Sequence, residues 1–192
     1  MAIMSFSNAP DRTTLGRVAG ALAVDEAFVE KDWYVVQAIK ALIALANGDI
    51  AAVFSGGTSL LKAHGLIKRF SEDIDFKLTL STDFLAKSST QQRRALGAFR
   101  DALVQAWADA GFVITSVESR SGNGFIKIEM DYPTILEPHD SLRPHILAEL
   151  SAKPPNLAVQ PLPPRSWRNI AKRTPKCRRS PVLIRSKPRR TS

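Results

Sequence analysis

The sequence predicts one α/β (or α+β) domain, with helices and strands mixed around a single sheet. Segments with apolar residues at helical spacing alternate with short segments in which apolar and polar residues alternate, as they do in strands. The chain has 192 residues, which is enough for one domain with a hydrophobic core. No apolar run approaches the roughly 20 residues that a membrane-spanning helix needs, so a membrane protein is not expected.

Two helices are expected before residue 49. Residues 12–22 carry apolar side chains at helical spacing. Asp25 is a suitable N-cap for a second helix that runs to about Ala46, where Asn47-Gly48 supplies a stop signal. The second helix has one apolar face, and four polar side chains are expected to lie largely off it: Glu30, Lys31, Gln37 and Lys40.

The following elements are predicted from residue 51 onward. A short buried strand covers residues 51–54, and a glycine turn leads into a short helix at 58–64. An alternating strand covers residues 73–80, and a long helix covers about 90–110. Three further strands are expected within residues 112–119, 124–132 and 144–151.

Charge is distributed unevenly along the chain, whose formal net charge is +9. Residues 1–150 carry 15 Lys and Arg against 18 Asp and Glu, whereas residues 151–192 carry 12 Lys and Arg and no acid. That segment also holds eight of the twelve prolines, which oppose packed structure. It is either a flexible arm that attracts nucleic acid phosphates or a non-native end, and we favour the second interpretation.

A few residues limit the expected cellular compartment and the kind of metal that the protein is expected to bind. The N-terminal residues lack the basic start and apolar stretch of a secretory signal, and Cys177 is the only cysteine. A cytoplasmic location is therefore expected, and a thiol nucleophile is rejected because Cys177 has no plausible base near it. The three histidines do not cluster at zinc-ligand spacing, so zinc is not expected.

The glycine turn has the composition of a phosphate-binding loop. A predicted strand ends at Gly56-Gly57, and a helix begins with Thr58-Ser59. The glycines allow a ligand to approach the backbone closely, and free N–H groups at a helix N-terminus favour a phosphate. Taken alone, the same pattern also describes an ordinary turn with a helix cap.

Two aspartates follow about fifteen residues later on the predicted strand 73–80. Asp73 and Asp75 point to the same face, roughly 6.6 Å apart at Cα, while Ile74 and Phe76 point to the other. Two carboxylates aimed in one direction form a natural Mg²⁺ site. A lone pair of this kind is more often an exposed strand face, so the combination with the glycine turn matters.

Together these motifs resemble a known family. The glycine turn followed by Ser71-Glu72-Asp73-Ile74-Asp75 is similar to the first motif of the nucleotidyltransferase superfamily. Residues 54–78 resemble the AbiEii/AbiGii toxin family of type IV toxin–antitoxin systems, and residues 29–35 resemble that family's N-terminal helix. The resemblance covers about residues 15–150.

The resemblance implies a nucleotidyltransferase fold of the polymerase-β type, with a mixed sheet flanked by helices. Gly56, Gly57, Thr58 and Ser71 would hold the nucleotide, and Asp73 and Asp75 would bind Mg²⁺. Glu149 is the preferred third acid, and Glu129 is its rival. Lys127 is assigned to a substrate phosphate, although Lys127 and Glu129 share a strand face and could simply form an ion pair. Arg69 is an undecided candidate for a phosphate or for a neighbouring acid.

The implied function is that of a toxin that transfers a nucleotide from an NTP to an acceptor hydroxyl. The acceptor is expected to be RNA, with tRNA suggested by the family alone, and a cognate antitoxin is the expected partner. Alternatives are an inactive remnant or RNA-binding module of the same fold, and a nucleotidyltransferase that acts on a small molecule of the antibiotic type.

The chain also departs from the family toward its C-terminus. The similarity is expected to stop near Leu162, which predicts a body with reduced stability and weak or absent activity. The organisation that follows is an N-terminal helical segment at 1–48, a catalytic core at 49–162 and a disordered basic tail at 163–192.

Overall fold

The computed structural model describes residues 6–45, 48–55 and 73–152. These residues form four helices and five strands. The helix predicted at 58–64 and the tail predicted at 163–192 lie outside the described residues, and the other elements follow the predicted order with one additional short helix. The elements are α1 (Arg12–Leu22), α2 (Glu26–Ala44), β1 (Ile50–Ser55), β2 (Asp73–Leu80), α3 (Thr82–Leu85), α4 (Ser89–Ala110), β3 (Val113–Arg120), β4 (Phe125–Asp131) and β5 (Ile146–Ser151).

The five strands form one mixed sheet in the order β1-β2-β5-β4-β3. Strands β2 and β5 are parallel, and the other three neighbouring pairs are antiparallel. The C-terminal strand of the described region is therefore inserted between β2 and β4 at the centre of the sheet. The predicted α/β class with a mixed sheet flanked by helices is confirmed.

One face of the sheet carries the hydrophobic core. Along β2 the residues Ile74, Phe76 and Leu78 are buried, and the residues between them are half-buried. Side chains from α2 and α4 complete this core, including Trp107, which is fully buried. The Trp107 indole N–H donates to the carbonyl of Ala38 at 3.0 Å, so its polar atom is satisfied inside the core.

Local sequence signals account for the helix ends. Asp25 caps α2 by accepting a hydrogen bond from the Ala27 amide, as its sequence position predicts. A capping box of Ser88 and Gln91 starts α4, and Gly111, at φ 103°, ends it. Strand β1 differs from the prediction, because it lies at one end of the strand order and only Ile50 in it is buried.

Helix α2 is buried on more than one side, which corrects the sequence expectation for two of its charged residues. Glu30 and Lys31 are 3% and 0% exposed, although they were expected to lie largely off the packed face. The Glu30 carboxylate accepts hydrogen bonds from the Thr134 hydroxyl at 2.6 Å and from the Ile135 amide at 2.8 Å. Both charges therefore face the loop of residues 132–145, which connects β4 to β5.

Within the residues that the structure describes, no helix is long and apolar enough to cross a membrane.

Candidate functional site

A row of polar side chains crosses the sheet on the face opposite the core. Asp75 on β2 is the register partner of Glu149 on β5, and Glu149 is the partner of Lys127 on β4. Cross-strand partners project from the same face and lie close together. The row continues to Ser55 on β1 and to Glu118 on β3. Three candidate residues that are far apart in the sequence are thus neighbours in the fold.

Asp73 lies on the same face, two residues before Asp75. Its register partner on β5 is Leu147, whose partner on β4 is Glu129. Asp73 and Asp75 are both half-buried, while Ile74 between them is fully buried. This alternation is the one that the sequence predicted for the strand, and it fixes both carboxylates on the polar face.

Negative charge accumulates around Asp75. Burial raises the pKa of the Asp75 carboxyl above its ordinary value, and the nearby charges of Glu149 and Asp73 raise it further. The Lys77 ammonium on the same strand opposes these effects only in part. Carboxylates gathered in this way are stabilised when a cation joins them.

Lys127 and Glu129 form an ion pair at 3.0 Å, which is the simple pairing that the sequence left open for them. The hydrogen bond from Lys127 holds the pKa of the Glu129 carboxyl below its usual value and raises the pKa of the Lys127 ammonium. Glu118 lies 3.9 Å from the same ammonium. Glu129 is therefore engaged by a cation, whereas Glu149 lies beside Asp75.

Arg143 is a site residue that the sequence analysis missed. Its guanidinium donates to the Asp73 carboxylate at 2.8 Å, with both side chains close to half-exposed. Its charge also helps to lower the pKa of the Glu129 carboxyl. The only sequence signal for this residue is its position a few residues ahead of the strand that carries Glu149.

The donor set fits the Mg²⁺ ion expected from the sequence. Asp75, Glu149 and Asp73 supply the hard carboxylate oxygens that Mg²⁺ prefers. Burial, and then the nearby charges of Glu149 and Asp73, raise the pKa of Asp75, and a divalent ion would relieve that accumulation of charge. Among residues 6–45, 48–55 and 73–152, however, no three His, Cys, Asp or Glu side chains already converge at metal-binding distances. The Asp73 carboxylate is instead turned toward Arg143.

The proposed nucleotide-binding residues Gly56, Gly57, Thr58 and Ser71 lie outside the described residues, and so does Arg69. Their roles remain predictions from the sequence. Ser55, the last described residue before the glycine turn, is the register partner of Asp75 and donates its hydroxyl to the Asp75 carbonyl at 3.2 Å. Strand β1 therefore ends directly beside the acidic row.

Comparison with known proteins gives one match. A family model described as the nucleotidyl transferase AbiEii toxin of type IV TA systems matches residues 37–178, well over half of the chain. No curated protein and no solved structure gives a significant match. The matched range contains all the candidate site residues and extends past Leu162, where the similarity was expected to stop. It does not include residues 29–35.

Proposed function

Because the chain belongs to the AbiEii nucleotidyl transferase toxin family of type IV toxin–antitoxin systems, we propose that it is a Mg²⁺-dependent transferase that moves a nucleotide from an NTP to an acceptor hydroxyl on RNA. The observation that carries the proposal is the placement of Asp75 against Glu149 on adjacent parallel strands, with Asp73 on the same face. These three acids come from two distant parts of the sequence. Their placement on one face of the sheet supplies the carboxylates that a metal ion would draw together.

The proposed role of Asp73, Asp75 and Glu149 is to hold the metal ion that would neutralise charge during the reaction. Bound Mg²⁺ would neutralise phosphate charge and lower the pKa of an attacking hydroxyl. In the transfer, the acceptor oxygen bonds to the α-phosphorus, the bond from that phosphorus to the bridging oxygen breaks, and pyrophosphate leaves. Asp73 and Asp75 would hold the metal. Glu149 would accept the proton that the acceptor hydroxyl loses, directly or through a water molecule if Glu149 also completes the coordination of the metal.

The nucleotide is held by groups on both sides of the acidic row. The backbone at Gly56 and Gly57, with the hydroxyls of Thr58 and Ser71, contacts its phosphates. The Lys127 ammonium contributes a positive charge to the same face, and its hydrogen bond to Glu129 raises its pKa. Its ion pair with Glu129 keeps that ammonium close to Glu149.

The partners follow from the family and from charge. A toxin of a type IV system implies a cognate antitoxin. The proposed acceptor is RNA, with tRNA as the first to test. The family match reaches residue 178, which favours the nucleic-acid interpretation of the basic residues 151–192 over a non-native end, and basic segments attract phosphate backbones. The cytoplasm, where RNA and NTPs are available, is the proposed location.

The test is a transfer assay with each labelled NTP, Mg²⁺ and total RNA. The wild-type chain should label RNA with at least one NTP. Asp73→Asn and Asp75→Asn should each reduce labelling by about a hundredfold or more, since each removes a charge that the transition state needs.

Asp131→Asn is the matched control, because Asp131 is an exposed aspartate at the end of β4 on the same sheet. It should retain wild-type labelling. An absence of label with every NTP would contradict the proposal and favour an inactive remnant. Label that appears only in small-molecule acceptors would contradict the RNA acceptor, and equal labelling by Asp73→Asn would contradict the site.

A further inference from the structure

Arg143 bonds to a carboxylate that the proposed chemistry needs for the metal ion. Its guanidinium bonds to the Asp73 carboxylate at 2.8 Å, yet Asp73 is a proposed metal ligand. Arg143 also lies close enough to Glu129 to influence the pKa of that carboxyl. The guanidinium is therefore bonded to Asp73 on β2 and lies within electrostatic range of Glu129 on β4.

The backbone of Arg143 is anchored from inside the protein. The fully buried Lys31 ammonium on α2 donates to the Arg143 carbonyl at 2.7 Å. At the other end of the same 132–145 loop, Glu30 bonds to Thr134 and Ile135. A buried ammonium is costly unless it is well paired, and the hydrogen bond from Lys31 holds the Arg143 carbonyl in place near the end of the loop.

The Asp73 carboxylate cannot serve a guanidinium and a divalent ion equally well, because the two cations repel each other at contact distance. We propose that Arg143, positioned by Lys31, competes with the metal ion for Asp73, and that metal binding releases its guanidinium to bind a phosphate of the nucleotide. This inference rests on the proposed function. It adds a phosphate ligand and a positioning residue that the sequence motifs do not contain.

The chemistry of arginine supports this role. The guanidinium is always charged, and its fork of N–H donors matches the oxygens of a phosphate as well as those of a carboxylate. The Arg143 and Asp73 side chains are 49% and 43% exposed, so a change in their pairing would not open the core. A phosphate that arrives with the metal supplies the negative charge that the guanidinium loses when it leaves Asp73.

The experiment measures Mn²⁺ binding by calorimetry and Mg²⁺-dependent binding of inorganic pyrophosphate, on the full chain and without turnover. Arg143→Gln removes the competing cation, so Mn²⁺ should bind about two- to fivefold more tightly, the range expected for loss of an exposed ion pair. The same variant should bind pyrophosphate about tenfold more weakly, because a charged donor is lost. Arg143→Lys should restore most of the Mn²⁺ value.

Arg120→Gln is the matched control, since Arg120 is exposed, pairs with Glu118 at 3.0 Å and is remote from Asp73 along the sheet. It should change neither constant. Lys31→Met should give part of both changes, and a lower melting temperature with both constants unchanged would overturn the positioning role. Unchanged or weaker Mn²⁺ binding by Arg143→Gln would overturn the competition.

The two proposals fail separately. If the wild type labels no acceptor but Arg143→Gln still tightens Mn²⁺ and weakens pyrophosphate, the transfer function is wrong and the inference stands. If the wild type labels RNA and Arg143→Gln moves neither constant, the transfer function stands and the inference is wrong. Absence of any Mn²⁺ binding by the wild type would overturn the inference.

Discussion

Tyr34 shows how one residue connects a helix, a loop and the sheet. It is 3% exposed, its hydroxyl donates to the Pro133 carbonyl at 2.7 Å, and its ring contacts Phe6 and Tyr132. Burial raises the pKa of the Tyr34 phenol to about 12 from an ordinary value of 10.0, with a further contribution from the charge of Glu30. A phenolate at this position would lose its hydrogen bond and stand beside a carboxylate.

We therefore expect Tyr34 to titrate at unusually high pH. Tyr34 should ionise near pH 12 in the folded protein, and its contribution to stability should be full below about pH 10 and lost as the pH rises through about 12. A near-ultraviolet absorbance titration measures the ionisation, and Tyr34→Phe should remove the step near pH 12. Loss of a step near pH 10 in Tyr34→Phe would contradict this.

Local backbone geometry determines which site residues can be predicted from the sequence. Asp73 and Asp75 are two apart on one strand, so their shared face follows from local geometry. Glu149 was selected because it alternates with apolar neighbours, and its placement beside Asp75 agrees with that choice. Arg143 carries no periodic signal, because it lies in a loop and acts through a long side chain that only the fold directs.

Helix α2 acts as an anchor for the 132–145 loop. A helix with apolar residues on every side is expected to be surrounded by protein, and this was the available signal that its charges are buried. The sequence analysis instead assumed one apolar face and missed the role of Glu30 and Lys31. Periodicity locates the helix, but the partners of its buried charges lie about a hundred residues away in the chain.

Glu30→Ala tests this anchor. The substitution leaves the Thr134 hydroxyl and the Ile135 amide without their acceptor and removes buried volume, so we expect a loss of about 1–3 kcal/mol in the free energy of unfolding. Urea denaturation measures it. Glu137→Ala, at an exposed glutamate of the same loop, should change stability by less than about 0.5 kcal/mol. Equal effects of the two substitutions would show that Glu30 does not anchor the loop.

On the scale of the whole molecule, charge and fold are divided along the chain. The described region is mildly acidic and carries the candidate site, while the basic residues are concentrated in residues 151–192. The helix and strand order of the described region followed from sequence periodicity. The parallel pairing of β2 with β5 did not, because strand order depends on contacts between distant segments rather than on local pattern.

This division of charge predicts that RNA binding and catalysis depend on different residues. If residues 151–192 neutralise about six phosphates, affinity for an RNA oligonucleotide should fall by about a thousandfold between roughly 50 and 200 mM salt. Asp73→Asn should bind with the same affinity and the same salt dependence while losing transfer. Fluorescence anisotropy at a series of salt concentrations measures both. Affinity that is independent of salt would contradict a role for the basic segment.

Mutations on the two faces of the sheet should have different effects, one on folding and the other on the proposed activity. Even-numbered residues of β2 supply the packing free energy, and odd-numbered ones project onto the polar face. Under the proposed function, a gene copy that accumulates changes at Asp73 and Asp75 should still produce a folded protein, but one that no longer transfers a nucleotide. Changes at the even positions should prevent folding, because those side chains form the core. Inactive descendants of such a toxin should therefore retain its fold after their activity has been lost.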